Sequence, residues 1–414
     1  MIRVLSSPAL ISLELTPLCN SHCSGCFNVF LDEGRGRRDV PVRRPPLPFD
    51  GWRKILDQLA PHVHRLKLTG GEPTLHPDFE AILGYIRQLD ISVTVFTNGR
   101  WPHPERVLEA LRRTPNLDGL LVSLHGARAA SHEAYSGVPG SFDETVSNIR
   151  RAIELGIPVT LSTVLHLANL DELAEIVSLA RSLGAGRVAF NRYLGRPLPG
   201  LALSDDQLKQ ATRTIDAMRG AGQSVAFGVG IPQCFTPSSS TGCLAGVAYC
   251  AVDPWGNLRP CNHSDLVAGN LLRRTLEEAW TSPVMERFRE AIPDACHTCA
   301  AFPTCHAGCR ALAMELNLAG DPLMVGPLSE FGPPPPVRMG RNWRPLRRFD
   351  LRQEAFGLVL MRGNALLAVR PEAIPILDHL NGAHTLEDLE QAFGPVGLSL
   401  IGELFQRNMV EMKA

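Results

Sequence analysis

Leu10-Ile11-Ser12-Leu13-Glu14-Leu15-Thr16-Pro17-Leu18-Cys19-Asn20-Ser21-His22-Cys23-Ser24-Gly25-Cys26 is an alternating apolar run that breaks at proline and ends in three closely spaced thiols. Alternation of this kind reads as a strand over Leu10 to Thr16, which puts the thiols in the loop at its carboxyl end. Similar β-branched, apolar runs recur at Arg65 to Thr69, Ile91 to Thr97, Gly119 to Ser123, Pro158 to Val164 and Arg187 to Asn191. A stretch of helical period follows each, near Asp50 to Leu59, Asp78 to Leu89, Pro104 to Arg113, Phe142 to Leu155, Leu170 to Leu183 and Ser204 to Met218. The chain therefore reads as α/β, with six βα units around a parallel sheet. Six is short of the eight of a closed barrel. Distinctive residues follow one strand after another: Cys19 to Cys26, Gly70 to Pro73, Asn98-Gly99, Ser123 to Gly126 and Asn191 to Tyr193. That spread predicts a partial (β/α)6 barrel with its site at the carboxyl ends, since a doubly wound sheet gathers its site at one switch point.

Composition bounds the rest. The 414 residues suggest two or three domains, and 44% hydrophobic with 41 basic against 42 acidic side chains describes a globular chain, not a disordered one or a polycation for nucleic acid. No stretch reaches the roughly 18 apolar residues of a membrane span, and Met1-Ile2-Arg3-Val4-Leu5 turns polar too soon for a signal peptide. The expected location is cytoplasmic, without membrane attachment. In that reducing setting, 11 cysteines point to metal or redox chemistry and away from disulfides. They are bunched: after Cys26 none occurs until Cys234, and eight crowd between Cys234 and Cys309.

Domain organisation follows from where the pattern changes. The βα alternation fills residues 1–220 and gives way at 221–325 to a Gly- and Pro-punctuated cysteine-rich stretch, the mark of a small metal-held domain. Residues 326–345 form a Pro/Arg-rich linker, with Pro333 to Pro336 favouring extended geometry beside Arg338, Arg341 and Arg344. Order returns at 346–414. Phe356 to Met361 and Ala365 to Val369 flank Arg362-Gly363-Asn364 as a hairpin, and helices start near Pro371, Thr385 and Leu398, with Gly382 and Gly394 as stops. This is a small winged-helix-like α+β module, sized for binding rather than for a second reaction.

Three thiols in one loop can hold three irons of a cubane and leave the fourth iron free of protein, open to a substrate or cofactor. Zinc sites and buried thiols use the same residue type, so spacing alone leaves those readings open. In its context, following the first strand and joined by Gly70-Gly71-Glu72-Pro73 after the second, the motif resembles the radical SAM superfamily over residues 8–220. The resemblance implies that Cys19, Cys23 and Cys26 hold a [4Fe-4S] cluster whose fourth iron chelates S-adenosylmethionine. It implies that Gly70, Gly71, Glu72 and Pro73 approach the methionine amino group, and that Asn98 and Ser123 contact its ribose or methionine portion. The family usually carries an aromatic residue before the third cysteine; here Gly25 stands there and Phe27 follows. One-electron reduction, by a donor such as flavodoxin or ferredoxin, would release a 5'-deoxyadenosyl radical.

Cys243, Cys250 and Cys261 around Asp253-Pro254-Trp255-Gly256, then Cys296-x2-Cys299-x5-Cys305-x3-Cys309, resemble the SPASM extension, which carries one or two auxiliary iron-sulfur clusters. By that resemblance Cys243, Cys250, Cys261 and Cys309 hold the first, and Cys296, Cys299 and Cys305 supply three ligands to the second. The usual closing cysteine downstream is missing. The second cluster then has an open or non-cysteine position or recruits Cys234, unless Cys234 is an ordinary core thiol.

The module at 346–414 resembles the PqqD-like element of ribosomal peptide maturation through its hairpin, Pro371-Glu372-Ala373, Leu380-Asn381-Gly382 and Thr385 to Leu389. Such an element captures a leader peptide as an added strand. Residues 371–414 hold Arg407 and Lys413 as their fixed positive charges, too few for a DNA-reading helix. The expectation is a peptide maturase that abstracts hydrogen from a precursor peptide and forms a cross-link, with a tetrapyrrole or other small molecule as the alternative substrate. An iron-sulfur or zinc regulator on DNA would leave Gly70 to Pro73 unexplained. His125, Asn191, Arg192 and Tyr193 lie near strand ends, yet none is assigned as catalytic.

Overall fold

The computed structural model describes residues 3–26, 28–29, 44–228, 230–239, 242–332, 338–363 and 365–413. Phe27, Pro333 to Pro336 and Asn364 lie outside them. Two compact units result, Met1–Phe331 and Gly332–Ala414.

In the first unit, β1 (Leu10–Thr16), β2 (Arg65–Gly70), β3 (Ser92–Thr97), β4 (Leu117–Ser123), β5 (Val159–Val164) and β6 (Arg187–Asn191) pair in parallel in sequence order. Helices α1 (Phe49–Leu59), α2 (Phe79–Ile86), α3 (Pro104–Arg112), α4 (Ala129–Ser136), α5 (Ser141–Glu154), α6 (Leu173–Leu183) and α7 (Asp205–Gly220) connect them. Register explains the layering. Ile11, Leu13, Leu66, Leu68, Val93, Val95, Leu120, Val122 and Leu161 point to the helix side, where they join Trp52, Ile55, Ile82 and Ile149 in one buried core. The opposite, inner face carries Ser12, Lys67 and Thr94 abreast, then Glu14 beside Thr69, and Ser123 beside Ser162. Strands of a barrel show one face to helices and one to the lumen, so this polar face marks the interior of a partial barrel.

The sheet runs past the expected boundary at residue 220. A further strand, β7 (Val225–Phe227), pairs with β6, and from the cysteine-rich stretch β8 (Tyr249–Val252) pairs in parallel with β1. β9 (Asn257–Arg259) and β10 (Gly269–Asn270) add antiparallel strands, making ten in one open sheet. Short helices complete this unit: α8 (Leu276–Trp280), α9 (Pro283–Glu290), α10 (Asp294–His297), α11 (Phe302–Cys305) and α12 (Arg310–Glu315).

In the second unit, β11 (Arg344–Arg347) pairs with the final strand, β15 (Val410–Lys413), so the end of the expected linker is already strand. β12 (Asp350–Glu354), β13 (Gly357–Arg362) and β14 (Ala365–Val369) form an antiparallel sheet of three where the sequence suggested a two-stranded hairpin. Helix α13 (Ile374–Asp378) follows the turn at Pro371. The second and third expected helices merge as α14 (Leu386–Gln406), kinked at Gly394 (φ 67°) before Pro395, and the Thr385 hydroxyl caps its start. Leu358, Leu360, Leu377, Leu389, Ile401 and Leu404 give this unit a core of its own. Among the described residues no helix is long and apolar enough to cross a membrane.

Candidate active site and cysteine clusters

The three-cysteine loop is tied down on two sides. On one, Gly71 N–H donates to Thr16 O and Glu72 N–H to Leu18 O, both at 2.7 Å. A Cβ on Gly70 would meet Thr16 O at 2.4 Å and one on Gly71 would meet Leu18 O at 2.0 Å. These glycines therefore permit close approach of the chain's own cysteine loop, in addition to the approach to the cofactor that the resemblance implies. Glu72 likewise faces inward: its buried carboxylate accepts from Thr74, from Thr97 Oγ1 at 2.8 Å and from Asn98 N–H at 2.7 Å, locking the ends of β2 and β3 together. Burial pushes its pKa up against those hydrogen bonds. Asn98 Nδ2 donates to Asn20 Oδ1 at 2.7 Å and to Ser21 Oγ at 3.1 Å, and stands 3.7 Å from Cys19 Sγ. Ser123 is half-buried beside Ser162, whose hydroxyl accepts from Asn191 Nδ2 at 3.0 Å.

On the other side stands α4, which the sequence did not reveal. His22 N–H donates to Ser136 O at 2.8 Å and Ser24 N–H to Tyr135 O at 2.9 Å, while the Tyr135 hydroxyl donates to Gly25 O at 3.2 Å. A Cβ at residue 25 would fall 2.7 Å from Tyr135 Oη and 2.9 Å from the Tyr193 ring. Two tyrosines from distant segments thus flank the position where the family pattern has an aromatic side chain. The departure at Gly25 was the available signal for them. Beneath Tyr135 lie His125, with ring centroids 4.2 Å apart, and His166 at 5.0 Å. Burial holds both imidazoles below the usual histidine range, so they serve as neutral packing partners.

All 11 cysteines are free thiols. Burial pushes the Cys19 thiol up to about 12 and raises those of Cys23 and Cys26, so thiolates here need a cation beside them. That requirement and the shared loop fit a cluster. Among the described residues no three His, Cys, Asp or Glu side chains converge as ligands of one ion would.

Further along, Cys243, Cys261 and Cys309 pack together with Leu194, Phe288 and Leu312. Arg192 reaches this group from the end of β6. Its two terminal nitrogens pair with Asp321, its buried Nε finds no acceptor among the described residues, and Asp321 also accepts from Cys309 N–H at 2.7 Å. A buried donor left open beside a thiol trio fits an acceptor that arrives with the cluster. Cys250 is not brought to this group. Strand alternation in β8 turns it, in register with Ile11, into the main hydrophobic core, apart from the three thiols with which the resemblance groups it. The remaining four, Cys234, Cys296, Cys299 and Cys305, line a single cavity with Phe302 and Met324.

Comparison with known proteins agrees with this layout. The Radical SAM superfamily matches residues 13–180, and the iron-sulfur cluster-binding domain SPASM matches 243–305. PqqA peptide cyclase from Gluconobacter oxydans is 30% identical over 344 residues, spanning 79% of this chain and 92% of that protein. AdoMet-dependent heme synthase from Methanosarcina barkeri is 28% identical over 361 residues, spanning 80% of this chain and 99% of that protein. SuiB of Streptococcus suis, solved with its precursor peptide SuiA, shares the fold with a TM-score of 0.65 at 18% identity, over 78% of this chain and 77% of that one. With both domains matched and a 30%-identical relative covered over 92% of its length, the chain belongs to the radical SAM superfamily, in the branch that carries a SPASM iron-sulfur domain, and works with S-adenosylmethionine, a [4Fe-4S] cluster and auxiliary clusters.

Proposed function

We propose that the chain is a peptide maturase that removes hydrogen from a ribosomally made precursor peptide and closes a cross-link. The observation that carries this reading is the similarity to PqqA peptide cyclase over 92% of that protein, joined here to a second unit with a core of its own. When bound, the reduced cluster and S-adenosylmethionine supply a 5'-deoxyadenosyl radical. Around them Cys19, Cys23 and Cys26 act as ligands, Glu72 and Asn98 hold the loop in place, and Tyr135 and Tyr193 wall it from water. Gly70 to Pro73, Asn98 and Ser123 lie at the strand ends where the cofactor is expected to rest.

Cys243, Cys261 and Cys309 belong to one auxiliary site in this reading, and Cys234 joins Cys296, Cys299 and Cys305 in the other. The shared cavity supports the recruitment of Cys234 in place of the missing downstream cysteine. Gly332–Ala414 acts as the PqqD-like leader-binding unit. β12 and β14 are the outer strands of the three-stranded sheet, where a leader would add as a further strand, and Leu351 on β12 is 44% exposed. A flavodoxin or ferredoxin delivers the electron, in the cytoplasm.

The similarity to a heme synthase keeps a tetrapyrrole as the second reading. Anaerobic co-expression with the short peptide encoded beside the gene separates the two. Loss of two hydrogens from the peptide, absent with Cys23→Ala, is the expected result. An unmodified peptide that also fails to bind residues 332–414 overturns the peptide reading.

A further inference from the structure

Lysine is rare in this chain: of 41 basic side chains, Lys54, Lys67, Lys209 and Lys413 are the lysines, and the rest are arginine. Three of the four lie on helices or at the end of a strand near the chain terminus. Lys67 is the exception. It sits on the inner face of β2, three residues before Gly70, abreast of Ser12 and Thr94. Its Nζ is 4.9 Å from the centre of the Tyr249 ring and 5.7 Å from that of Phe96, and the residue is half-buried.

Every other charge facing it from the neighbouring strands is engaged. On β1, Glu14 pairs with Arg259 of β9. On β2 itself, Arg65 pairs with Asp118 of β4 at 3.1 Å and donates to Thr94 of β3 at 2.6 Å. From β8, the Tyr249 hydroxyl donates to Asn262 Oδ1 and accepts from the Ser12 hydroxyl. Among the described residues the Lys67 ammonium has no carboxylate partner and no hydrogen-bond acceptor, and two ring faces cannot satisfy its three donors. Burial, then Arg65, holds its pKa down to about 8. An unmatched cation inside a lumen is costly unless an incoming anion completes it. Arginine would have kept a fixed charge and sought a planar partner; a compact ammonium suits one carboxylate oxygen among aromatic rings.

We propose that Lys67 is the lumen anchor for a carboxylate of the segment being modified, either an Asp or Glu side chain or a C-terminal carboxylate. This deepens the peptide reading by naming the chemistry of the residue presented to the radical. The carboxylate, held at the level of Ser12, would leave neighbouring carbon atoms nearer the cysteine loop at the strand ends.

Competition labelling of the reconstituted full chain with trace acetic anhydride tests this, with exposed Lys54 and Lys413 as internal references. The probes are N-acetylglutamate N'-methylamide, N-acetylglutamine N'-methylamide and N-acetylalanine. Lys67 should titrate near 8 alone, and either carboxylate probe should cut its labelling at pH 8 at least threefold and move its titration upward, with no effect from the glutamine amide. Protection by the glutamate probe alone assigns a side-chain carboxylate; protection by N-acetylalanine assigns a terminal one. Equal labelling with all three probes overturns the proposal. The outcome does not depend on the co-expression result, so a failed peptide reading and a failed anchor are told apart. With a modified peptide in hand, Lys67→Met should raise KM far more than it lowers kcat, and Lys67→Arg should recover part of the loss.

Discussion

Gly71 shows what one absent methyl group does in this fold. A Cβ there would sit 2.0 Å from a backbone oxygen, which cannot swing aside as a side chain can. Gly71→Ala should therefore push the Leu18 to Cys26 loop outward, at a cost of about 1–3 kcal/mol, typical of overpacking. Iron and sulfide per chain should drop by one cluster's worth after anaerobic reconstitution; full content with an unchanged melting temperature would refute the steric role. The Gly-Gly-Glu-Pro run was legible as functional, but its steric contact with the cysteine loop was not, because the contact partner lies about 50 residues away and is itself backbone. Cys234 carries a companion prediction. Cys234→Ser should lose or alter the spectrum of one auxiliary cluster while the Cys19 to Cys26 cluster stays intact, by electron paramagnetic resonance of the reduced protein. An unchanged spectrum would return Cys234 to the core. Cys250 shows what register adds to motif reading: the family resemblance implied a ligand there, and the pairing of β8 with β1 seats it opposite Ile11 in the main core.

At the scale of elements, the six strands and their helices were readable because apolar periodicity and capping residues agree. Helix α4 was missed because it has no apolar stripe. It buries Ser131, His132, Tyr135 and Ser136, and the Ser131 hydroxyl donates to Glu172 at 2.6 Å. Polar burial of this kind depends on distant partners, which periodicity does not report. The pairing of β8 with β1 was unreadable for the same reason, being non-local. The end of β6 and the tail after Cys309 are joined by the buried Arg192–Asp321 pair. Removing one partner from such a pair strands a charge, so Asp321→Asn should destabilise the reconstituted protein by about 3–5 kcal/mol. The double variant Arg192→Met, Asp321→Leu should recover part of that loss in urea titrations. Equal or greater damage in the double variant would mean that Arg192 is held there for the cluster and not for Asp321 alone.

For the whole molecule, the distribution of cores assigns different sources of stability to different regions. The barrel rests on one large apolar cluster and Gly332–Ala414 on another, both built from aliphatic and aromatic side chains. Among the described residues the cysteine-rich stretch has small clusters, one around Cys243, Cys261 and Cys309 and another around Cys296, Phe302 and Ala307. Clusters this small, built around the thiols proposed above as ligands, should be folded by their metal, in the way that small metal domains are. Iron removal by anaerobic chelation should therefore raise hydrogen exchange first across residues 290–331. Strand β8 should stay protected by its pairing with β1, and Gly332–Ala414 should exchange as before. Exchange read segment by segment after peptic digestion distinguishes this from a single cooperative unit. If iron removal exposed α14 together with α10 to α12, the two compact units would share one folding transition and the separate core of Gly332–Ala414 would not be a source of independent stability.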